Sequence, residues 1–472
     1  MIADLKPYPA MKGSGVEWLG EVPEHWDVRR GKNIFRCIDV RSETGDEELL
    51  TVSSERGVVP RRSADVTMFK AESYVGHKLC WPGDLVINSL WAWARGLGVS
   101  KYHGIISTAY GVYRLKGAVD PSFIHALVRS TPFHWELRVR SKGVWTSRLQ
   151  LTDDSFLCAP FPIPPLPEQT AIVRFLDYVD RRIQRYVRAK QKLIGLLEAL
   201  KATIIHRAVT RGLDPDVPLK PSGVEWLGDV PDNWDVPLLG SALRCIEQGW
   251  SPVAAEGIVE SEQWAVITLS AVKNGYFNKE AIKPIEKSAS VASNIELQPG
   301  DFLLSRSNTR SLVGDVAVVE RVRPRTILCD LVYRLRFKAG VLVPRYLMYV
   351  LLSPIGRRQI EGDARGSSQT MVKLSHRHIR GWRIPLPQTD EQLKIVGSLD
   401  GVSKRVRAAV TGIEREIDLL HEYRTRLIAD VVTGKLDVRE AAANLPDEAG
   451  SPHESEAAEE FPAEEITREF AQ

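Results

Sequence analysis

The most regular pattern of apolar positions along the chain alternates steps of four and three residues, and it occurs twice. Each run follows an acidic residue next to glutamine, Glu168–Gln169 in the first run and Glu391–Gln392 in the second. A heptad pattern sustained over several heptads predicts a long helix in a coiled coil. The predicted seam positions are Ile172, Leu176, Val179, Ile183, Tyr186, Lys190, Leu193, Leu197, Leu200 and Ile204, then Ile395, Leu399, Val402, Val406, Ala409, Ile413, Glu416, Leu420, Tyr423 and Leu427.

Polar residues interrupt these two runs in corresponding places. Lys190 takes the position that Ile413 holds in the second run, and Glu416 takes the position of Leu193 in the first. We expect the helices to pack antiparallel in the register that faces Lys190 with Glu416 and Leu193 with Ile413. A polar pair within an apolar seam commonly fixes the register at a cost in stability.

Shorter apolar runs, broken by glycine and proline, precede each heptad run and predict strands. They include GDLVINSL and GIISTAYGVYRLK before the first run, and QWAVITLS, GDFLLSRS, VGDVAVVE and LVYRLRF before the second. A proline suited to the first helical position predicts helices that start at Pro121 and at Pro344. The chain therefore belongs to the α+β class.

The two halves of the chain are copies of each other. The phrase SGVEWLGEVPEHWDV (14–28) returns as SGVEWLGDVPDNWDV (222–236), and WPGDLVI (81–87) returns as QPGDFLL (298–304). Such a repeat is a duplicated domain with its following helix, which predicts two α/β domains, a pseudo-twofold repeat and an antiparallel pair of long helices. The predicted boundaries are 1–165 for the first domain, 166–212 for its helix, 213–387 for the second domain, 388–438 for its helix and 439–472 for a disordered acidic tail.

Charge is distributed unevenly along the chain. From Ala441 onward there are nine acidic residues and one basic residue, so the rest of the chain is basic although the net charge is only +3. A basic body suggests a polyanionic partner such as nucleic acid. Apolar runs fall short of the ~18 residues that span a membrane, and the first residues lack the apolar stretch of a signal peptide. We expect a cytoplasmic protein.

Signatures of catalysis are missing from the sequence. It has no GxxxxGK[ST] loop, no HExxH and no GxSxG. The five cysteines form no CxxC pair, and the histidines of HRH (376–378) lack a further metal ligand. The sequence predicts a binding protein without a catalytic, metal or cofactor site.

The repeated phrase, NSLWAWARGLGVS (88–100) and IPPLPEQTAIVRFLD (163–177) together resemble the specificity subunit of type I restriction-modification enzymes. The resemblance implies two target-recognition domains, each reading one half of a split, asymmetric site in double-stranded DNA. It implies that the long helices set the gap and dock modification subunits, which bind S-adenosylmethionine and methylate adenine. Restriction subunits, which use ATP with Mg, would join outside, and this chain would contribute recognition rather than catalysis.

Base reading needs donors that reach groove edges, and it should lie where the two copies differ. The same residue types also bind phosphates, which take half or more of protein–DNA hydrogen bonds. Trp18, Trp26, Trp226 and Trp234, which both copies share, are instead predicted to pack in the interior. The predicted DNA contacts are Arg95, Lys101, Lys142 and Arg148 in the first copy, and Arg306, Asn308, Arg310, Arg365, Gln369, Lys373 and Arg377 in the second.

Three other functions are compatible with parts of this pattern. A stand-alone, sequence-specific DNA-binding protein would need no modification subunit. A non-catalytic helical scaffold would bind no specific DNA sequence. A self-contained nuclease or methyltransferase is the least compatible, because the motifs for it are missing.

Overall fold

The computed structural model describes residues 5–64, 73–143, 149–252, 257–286, 293–366 and 371–446. The chain forms two compact units. Unit 1 comprises Met1–Arg188 and Glu416–Gln472, and unit 2 comprises Ala189–Arg415. Each unit contains strands, short helices and a part of each of two long helices. The predicted domain boundaries, which place both long helices in segments of their own, stay a prediction.

The first long helix is Leu166–Arg211 and the second is Thr389–Val432. A glycine with a left-handed φ of +77° follows each of them, Gly212 and Gly434. Glycine adopts this conformation without the strain that a Cβ would cause, and it is the usual residue at the end of a helix. The second helix therefore ends before the predicted 438.

The long helices pack antiparallel in each unit. In unit 1 the start of the first helix, including Ile172 and Val179, shares a core with the end of the second, including Leu427 and Val431. In unit 2 the end of the first helix shares a core with the start of the second, where Val209 and Ile395 are fully buried. These contacts confirm the predicted α+β class and the antiparallel helix pair.

The residues buried between the two helices differ from the predicted heptad positions at every second position after Ile183 in the first helix and after Val406 in the second. Tyr186, Leu193 and Leu200 are 51%, 45% and 54% exposed. In the first helix, the buried or half-buried residues are the next ones along the chain, Val187, Ile194 and Lys201. In the second helix they are Val410, Ile417 and Arg424, instead of the predicted Ala409, Glu416 and Tyr423. Burial at these steps is therefore shifted by one residue from the predicted positions, and in the first helix Tyr186, Leu193 and Leu200 form a second, exposed apolar face. The register that faces Lys190 with Glu416, and Leu193 with Ile413, stays a prediction.

Unit 1 is built on a four-stranded antiparallel sheet in which the runs of the sequence form strands as predicted. Its order is Phe35–Cys37, Tyr110–Leu115, Leu85–Asn88 and Leu97–Val99. The other strands of unit 1 are Met11–Gly13, Glu21–Pro23, Asp27–Arg30, Leu50–Ser53, Gly57–Pro60, Lys78–Cys80, Gly104–Ile106 and Pro160–Ile163. Its short helices are Gly31–Ile34, Pro121–Arg129, Thr131–Arg140, Asp153–Leu157 and Arg439–Ala443.

Unit 2 repeats this sheet with the same order and pairing. Its strands are Leu243–Gln248, Val332–Phe337, Phe302–Ser305 and Val316–Val318. The other strands are Leu219–Pro221, Asp229–Pro231, Ala265–Ile267, Val272–Lys273, Tyr276–Phe277, Ile282–Pro284, Ser307–Asn308, Thr326–Ile327 and Val372–Lys373. Its short helices are Leu239–Ala242, Pro344–Leu352, Pro354–Asp363 and His376–Gly381.

The helices predicted to start at Pro121 and Pro344 do start there. The side chain of Asp120 caps the first of them, accepting hydrogen bonds from the N–H groups of Ser122 and Phe123. Across the part of the chain that the structure describes, every helix is too short or too polar to cross a bilayer.

The repeated phrase packs against the end of a long helix in each unit. In unit 1, Trp26 is fully buried and lies beside Gly434, which follows the second long helix. In unit 2, Trp234 is fully buried and lies beside Gly212, which follows the first. Trp18 and Trp226 are partly buried against the same cores. The prediction that these tryptophans serve packing is confirmed.

A fully buried glutamine joins each long helix to the domain that precedes it. The Oε1 atom of Gln169 accepts a hydrogen bond from the Asp120 N–H at 2.7 Å, and its Nε2 donates to the Pro164 carbonyl at 2.8 Å. Gln392 accepts from the Val343 N–H at 2.8 Å and donates to the Pro387 carbonyl at 2.9 Å. One amide thus satisfies buried backbone groups of two segments. It fixes the long helix to the residue that precedes the short helix Pro121–Arg129 in unit 1 and Pro344–Leu352 in unit 2.

The predicted tail is ordered over its first residues. The helix Arg439–Ala443 buries Ala442, and the carbonyl of Leu445 accepts a hydrogen bond from Arg174 at 3.2 Å. Residues 439–446 thus belong to unit 1, because the apolar side chains before the acidic run have a core to pack against. The rest of the predicted tail lies outside the described residues.

We predict that Gln169→Ala lowers the free energy of unfolding by about 1–3 kcal/mol, because it leaves a buried N–H and a buried carbonyl without partners. Thermal and urea unfolding of the full chain, followed by tryptophan fluorescence, measure the change. Gln184→Ala is the matched control, since Gln184 is exposed on the same helix and its amide donates to Asp180. Equal stability of the two variants would show that the buried amide does not anchor the helix.

Candidate nucleic-acid interface

A short strand pair in unit 2 gathers most of the DNA contacts predicted for the second copy. The strand Ser307–Asn308 pairs antiparallel with Val372–Lys373. Arg365 and Lys373 exchange two backbone hydrogen bonds of 3.1 and 2.7 Å. Segments that are far apart in the sequence are thereby brought to one place. The residues of this group, here called the unit 2 cluster, are Arg306, Asn308, Arg310, Arg365, Lys373 and Arg377.

The cations of the unit 2 cluster are available to a ligand. The side chains of Arg310, Arg365, Lys373 and Arg377 are exposed. Within the described residues, none of these four side chains forms an ion pair. Several cations without a neutralising carboxylate create a positive potential that attracts a polyanion.

Arg306 is held in place by an aromatic ring. Its guanidinium carbon lies 5.7 Å from the centroid of the Tyr333 ring, and its Nη1 donates to the Asp330 carbonyl at 3.4 Å. The ring of His376 packs edge-on against Tyr333, with 4.7 Å between centroids. A planar guanidinium that is already stacked loses less freedom when it binds a base edge or a phosphate.

The histidines of the HRH motif take part in the fold and in this surface. His378 belongs to the capping box of the helix His376–Gly381, where its Nδ1 accepts from the Ser375 N–H at 3.4 Å. Burial and the nearby charges of Arg380 and Arg306 lower the pKa of His376. Among the described residues, histidine, cysteine, aspartate and glutamate form no group of three or more that could hold a metal ion.

Three residues beside the unit 2 cluster were not predicted from the sequence. Gln248 donates to the Asp330 carbonyl at 3.5 Å, and Ser251 donates to the Asp330 carboxylate. Trp250, between them, is 42% exposed. Arg306 bonds the same carbonyl of Asp330, so the side chains of Arg306, Gln248 and Ser251 meet at this residue. The run EQGWS joins a polar residue to an exposed aromatic one, and that was the available signal.

The PGD and YRL motifs, which both copies share, form ion pairs on a buried aspartate in each unit. In unit 1, Arg114 makes two bonds of 2.8 Å to Asp84, whose side chain is 2% exposed. In unit 2, Arg334 pairs with Asp301 at 3.0 Å, and Arg336 pairs with the same carboxylate at 2.6 Å. These arginines are engaged by carboxylates of the fold, and Arg334 is only 1% exposed.

Unit 1 has the same backbone frame with different side chains. Lys142 and Gln150 exchange two backbone hydrogen bonds of 2.9 Å, as Arg365 and Lys373 do in unit 2. Lys142 is exposed there and stays a predicted contact. The predicted contacts Arg148 and Gln369 lie outside the described residues.

Arg95 and Lys101 line a cleft of about 1140 Å³ between the domain and the long helices of unit 1. Arg95 has a left-handed φ of +62°, and its Nη2 donates to Thr131 Oγ1 at 3.0 Å. Lys101 is exposed at the cleft. Both stay predicted contacts, although the Arg95 side chain is already partly engaged.

Two further basic residues of this cleft, His125 and Arg129, are half-buried. Burial, with the charges of Arg95 and Arg424, lowers the pKa of Arg129 to about 10. Burial, with the charges of Arg129 and Lys101, lowers the pKa of His125 to about 4. His125 is therefore neutral at neutral pH, and its Nδ1 accepts from the Val99 N–H at 3.2 Å.

Known proteins resemble this chain in sequence and in fold. No family model matches the chain. The putative type I restriction enzyme MjaX specificity subunit of Methanocaldococcus jannaschii is 22% identical over 452 residues, which cover 89% of this chain and 96% of that protein. The type I restriction enzyme EcoEI specificity subunit of Escherichia coli is 24% identical over 177 residues, or 37% of this chain. The chain spans only 30% of the length of that EcoEI relative.

A solved structure on the complex assembly and conformational transition of the type I R-M system contains a chain with the same fold. The TM-score is 0.63 at 18% identity, over 88% of this chain and 99% of that one. The resemblance found in the sequence is thus confirmed, because the curated homologues are specificity subunits of type I restriction enzymes.

We predict that acid destabilises unit 1 through His125. Because burial lowers its folded-state pKa from 6.5 to about 4, the stability present above pH 6.5 is lost as the pH falls towards 4. The midpoint of thermal unfolding should therefore fall less steeply over this range for His125→Asn than for the native chain. His103→Asn, at an exposed histidine, should keep the native slope, and equal slopes for all three proteins would contradict the prediction.

Proposed function

We propose that this chain, a homologue of type I restriction enzyme specificity subunits, is the DNA-recognition subunit of a type I restriction-modification complex. Each unit reads one half of a split, asymmetric site in double-stranded DNA. The long helices set the unread gap and dock modification subunits, and the chain itself is not catalytic. The observation that carries the proposal is the unit 2 cluster, a group of exposed cations on a domain fixed to the long helices.

Base reading in unit 2 is assigned to the residues with the best-defined geometry. Arg306 is stacked on Tyr333, and Asn308 lies in a paired strand. Arginine can donate two bonds to guanine and asparagine can bind adenine in the same way. Arg310, Arg365, Lys373 and Arg377 surround them and suit the phosphates on either side.

In unit 1, Lys142 occupies the position of Arg365 and is assigned to DNA contact. Arg95 and Lys101, at the cleft, are assigned to phosphates, and Arg148 and Gln369 keep their proposed roles in contacting DNA. S-adenosylmethionine, ATP and Mg are expected in the modification and restriction subunits.

The gap between the half-sites is assigned to the long helices. The first has 46 residues, which at about 1.5 Å per residue make a rod of about 70 Å. In unit 1 an ion pair between Asp180 and Arg424 ties the two helices together. The register that faces Lys190 with Glu416, and Leu193 with Ile413, remains part of the proposal.

Docking of modification subunits is assigned to apolar residues that the helix seam leaves outside. Leu196 and Leu200 are 41% and 54% exposed, four residues apart on one helix face. The corresponding positions of the second long helix hold Leu419 and Tyr423, which are 54% and 41% exposed. Exposed apolar side chains at helical spacing suit a partner surface. Two equivalent pairs support the binding of two copies of one modification subunit.

The recognition proposal predicts a methylation pattern. The chain is co-expressed with the modification subunit encoded beside it, in a host without DNA methylation. The host DNA should then carry a split asymmetric motif with adenine methylated in both halves. Modified-base sequencing measures it, and the modification subunit expressed alone is the control. A stable complex without methylation would mean a degenerate specificity subunit, and neither complex nor methylation would favour a stand-alone DNA-binding protein.

In the same assay, Arg306→Ala should relax one position of one half-site and weaken binding by about 1–3 kcal/mol. The other half-site should stay unchanged, because unit 1 is unaltered. Arg244→Ala is the matched control. Arg244 is exposed in the strand Leu243–Gln248, at the end away from Gln248, which lies beside the unit 2 cluster. An unchanged motif and affinity would remove Arg306 from the set of base readers.

The docking proposal predicts partner stoichiometry. Leu196→Glu with Leu200→Glu should lose one of two modification subunits, because the added charges cannot be buried without a partner. Leu419→Glu with Tyr423→Glu should lose the other, and the four changes together should lose both. Native mass spectrometry counts the subunits, with Ala202→Glu as the exposed control on the same helix. Full complexes from all variants would exclude these faces.

A further inference from the structure

The loop after the strand Leu85–Asn88 in unit 1 and the loop after the strand Phe302–Ser305 in unit 2 are held by the same backbone hydrogen bonds. In unit 1 the Leu151 N–H donates to the Ser89 carbonyl at 2.9 Å. In unit 2 the Leu374 N–H donates to the Arg306 carbonyl at 3.0 Å. Together with the matching backbone pairs described above, these bonds make Ser89 the counterpart of Arg306. Leu90 and Trp91 are then the counterparts of Ser307 and Asn308.

The exposed side chains of these two loops differ in chemistry, most directly at the equivalent positions Trp91 and Asn308. Unit 2 presents hydrogen-bonding groups, Arg306 and Asn308. Unit 1 presents Leu90 and Trp91, which are 48% and 58% exposed. Trp91 stacks on Trp93, with 6.2 Å between ring centroids and 24° between the planes. A large apolar surface left in water, where the other copy offers polar groups, marks a contact site rather than a packing residue.

The loop that carries Leu90 and Trp91 is tightly bonded. The Leu90 N–H donates to Asn88 Oδ1 at 3.2 Å, and its carbonyl accepts from Trp93 Nε1 at 2.9 Å. The Trp91 carbonyl accepts from the Gly96 N–H at 2.8 Å. A Cβ on Gly96 would lie 2.8 Å from that carbonyl oxygen, so only glycine fits there. The apolar pair is therefore presented on a fixed backbone.

We propose that unit 1 reads its half-site by apolar contact, with Leu90 and Trp91 against the C5-methyl groups of thymines in the major groove. Thymine is the one base that offers a methyl group there, and apolar side chains recognise it. Unit 2 reads its half-site by hydrogen bonds from Arg306 and Asn308. This inference rests on the proposed function and adds the means by which the two halves of the site are told apart.

The test uses the motif obtained by modified-base sequencing. The half-site that Arg306→Ala leaves unchanged is the half-site of unit 1, and it should contain thymine. In a duplex carrying this motif, each thymine of that half-site is replaced by deoxyuridine, which removes only the methyl group. The assembled complex with modification subunits should then bind roughly fourfold more weakly for each contacted methyl.

Two variants and one exchanged duplex make the test specific. Trp91→Ala and Leu90→Ala should weaken binding to the thymine duplex and should make binding insensitive to deoxyuridine. Trp135→Ala is the matched control, because Trp135 is 53% exposed on the helix Thr131–Arg140. Deoxyuridine in the other half-site should leave the effect of Trp91→Ala unchanged. Circular dichroism and thermal unfolding establish that each variant is folded.

Several outcomes would overturn the proposal while leaving the proposed function intact. One is a split motif in which the half-site of unit 1 lacks thymine. Another is equal binding of the thymine and deoxyuridine duplexes. The third is that Trp91→Ala loses modification subunits without a change in DNA affinity. The absence of any split motif from the native chain would instead overturn the proposed function, and the reading of thymine with it.

Discussion

The buried glutamine at the start of each long helix is the contact on which the rest of the architecture depends. Gln169 and Gln392 are fully buried, and each bonds backbone groups of two different segments. A side-chain amide can donate and accept at once, which neither a carboxylate nor an apolar side chain can do. A helix fixed to its domain in this way transmits the position of the domain along its length. A recognition surface on the domain then has a defined place relative to the helix.

The parts of the chain that recur in both copies build joints, and the parts that differ build surfaces. The phrase around Trp26 and Trp234 closes the end of a long helix, and the PGD and YRL motifs form ion pairs on a buried aspartate. The loops at Ser89 and Arg306 share only their backbone hydrogen bonds. This division lets side chains at the surface change without disturbing the core, because Leu90, Trp91 and Asn308 lie outside the core clusters.

Local patterns predicted the strands, the proline helix starts and the packed tryptophans, because each follows from residues near one another in the sequence. The seam was predicted only in part. Leu193 and Leu200 lie on an exposed face, and an apolar pattern alone does not distinguish a seam from a partner surface. The grouping of Arg306 with Lys373 depends on strand pairing between distant segments, which spacing does not reveal. Trp91 and Trp250 were missed because hydrogen-bond donors were the expected readers, and side-chain exposure is a property of the fold.

The composition of the two units has a consequence for biosynthesis. Unit 2 is one continuous stretch, Ala189–Arg415, whereas unit 1 needs both Met1–Arg188 and the segment from Glu416 onward. Val431 and Val438 belong to the core of unit 1 and are fully buried in it. Domains usually complete their folding in the order in which they are synthesised. Here the ribosome must synthesise the segment that carries Val431 and Val438 before unit 1 can close its core, and by then all of unit 2 has been made.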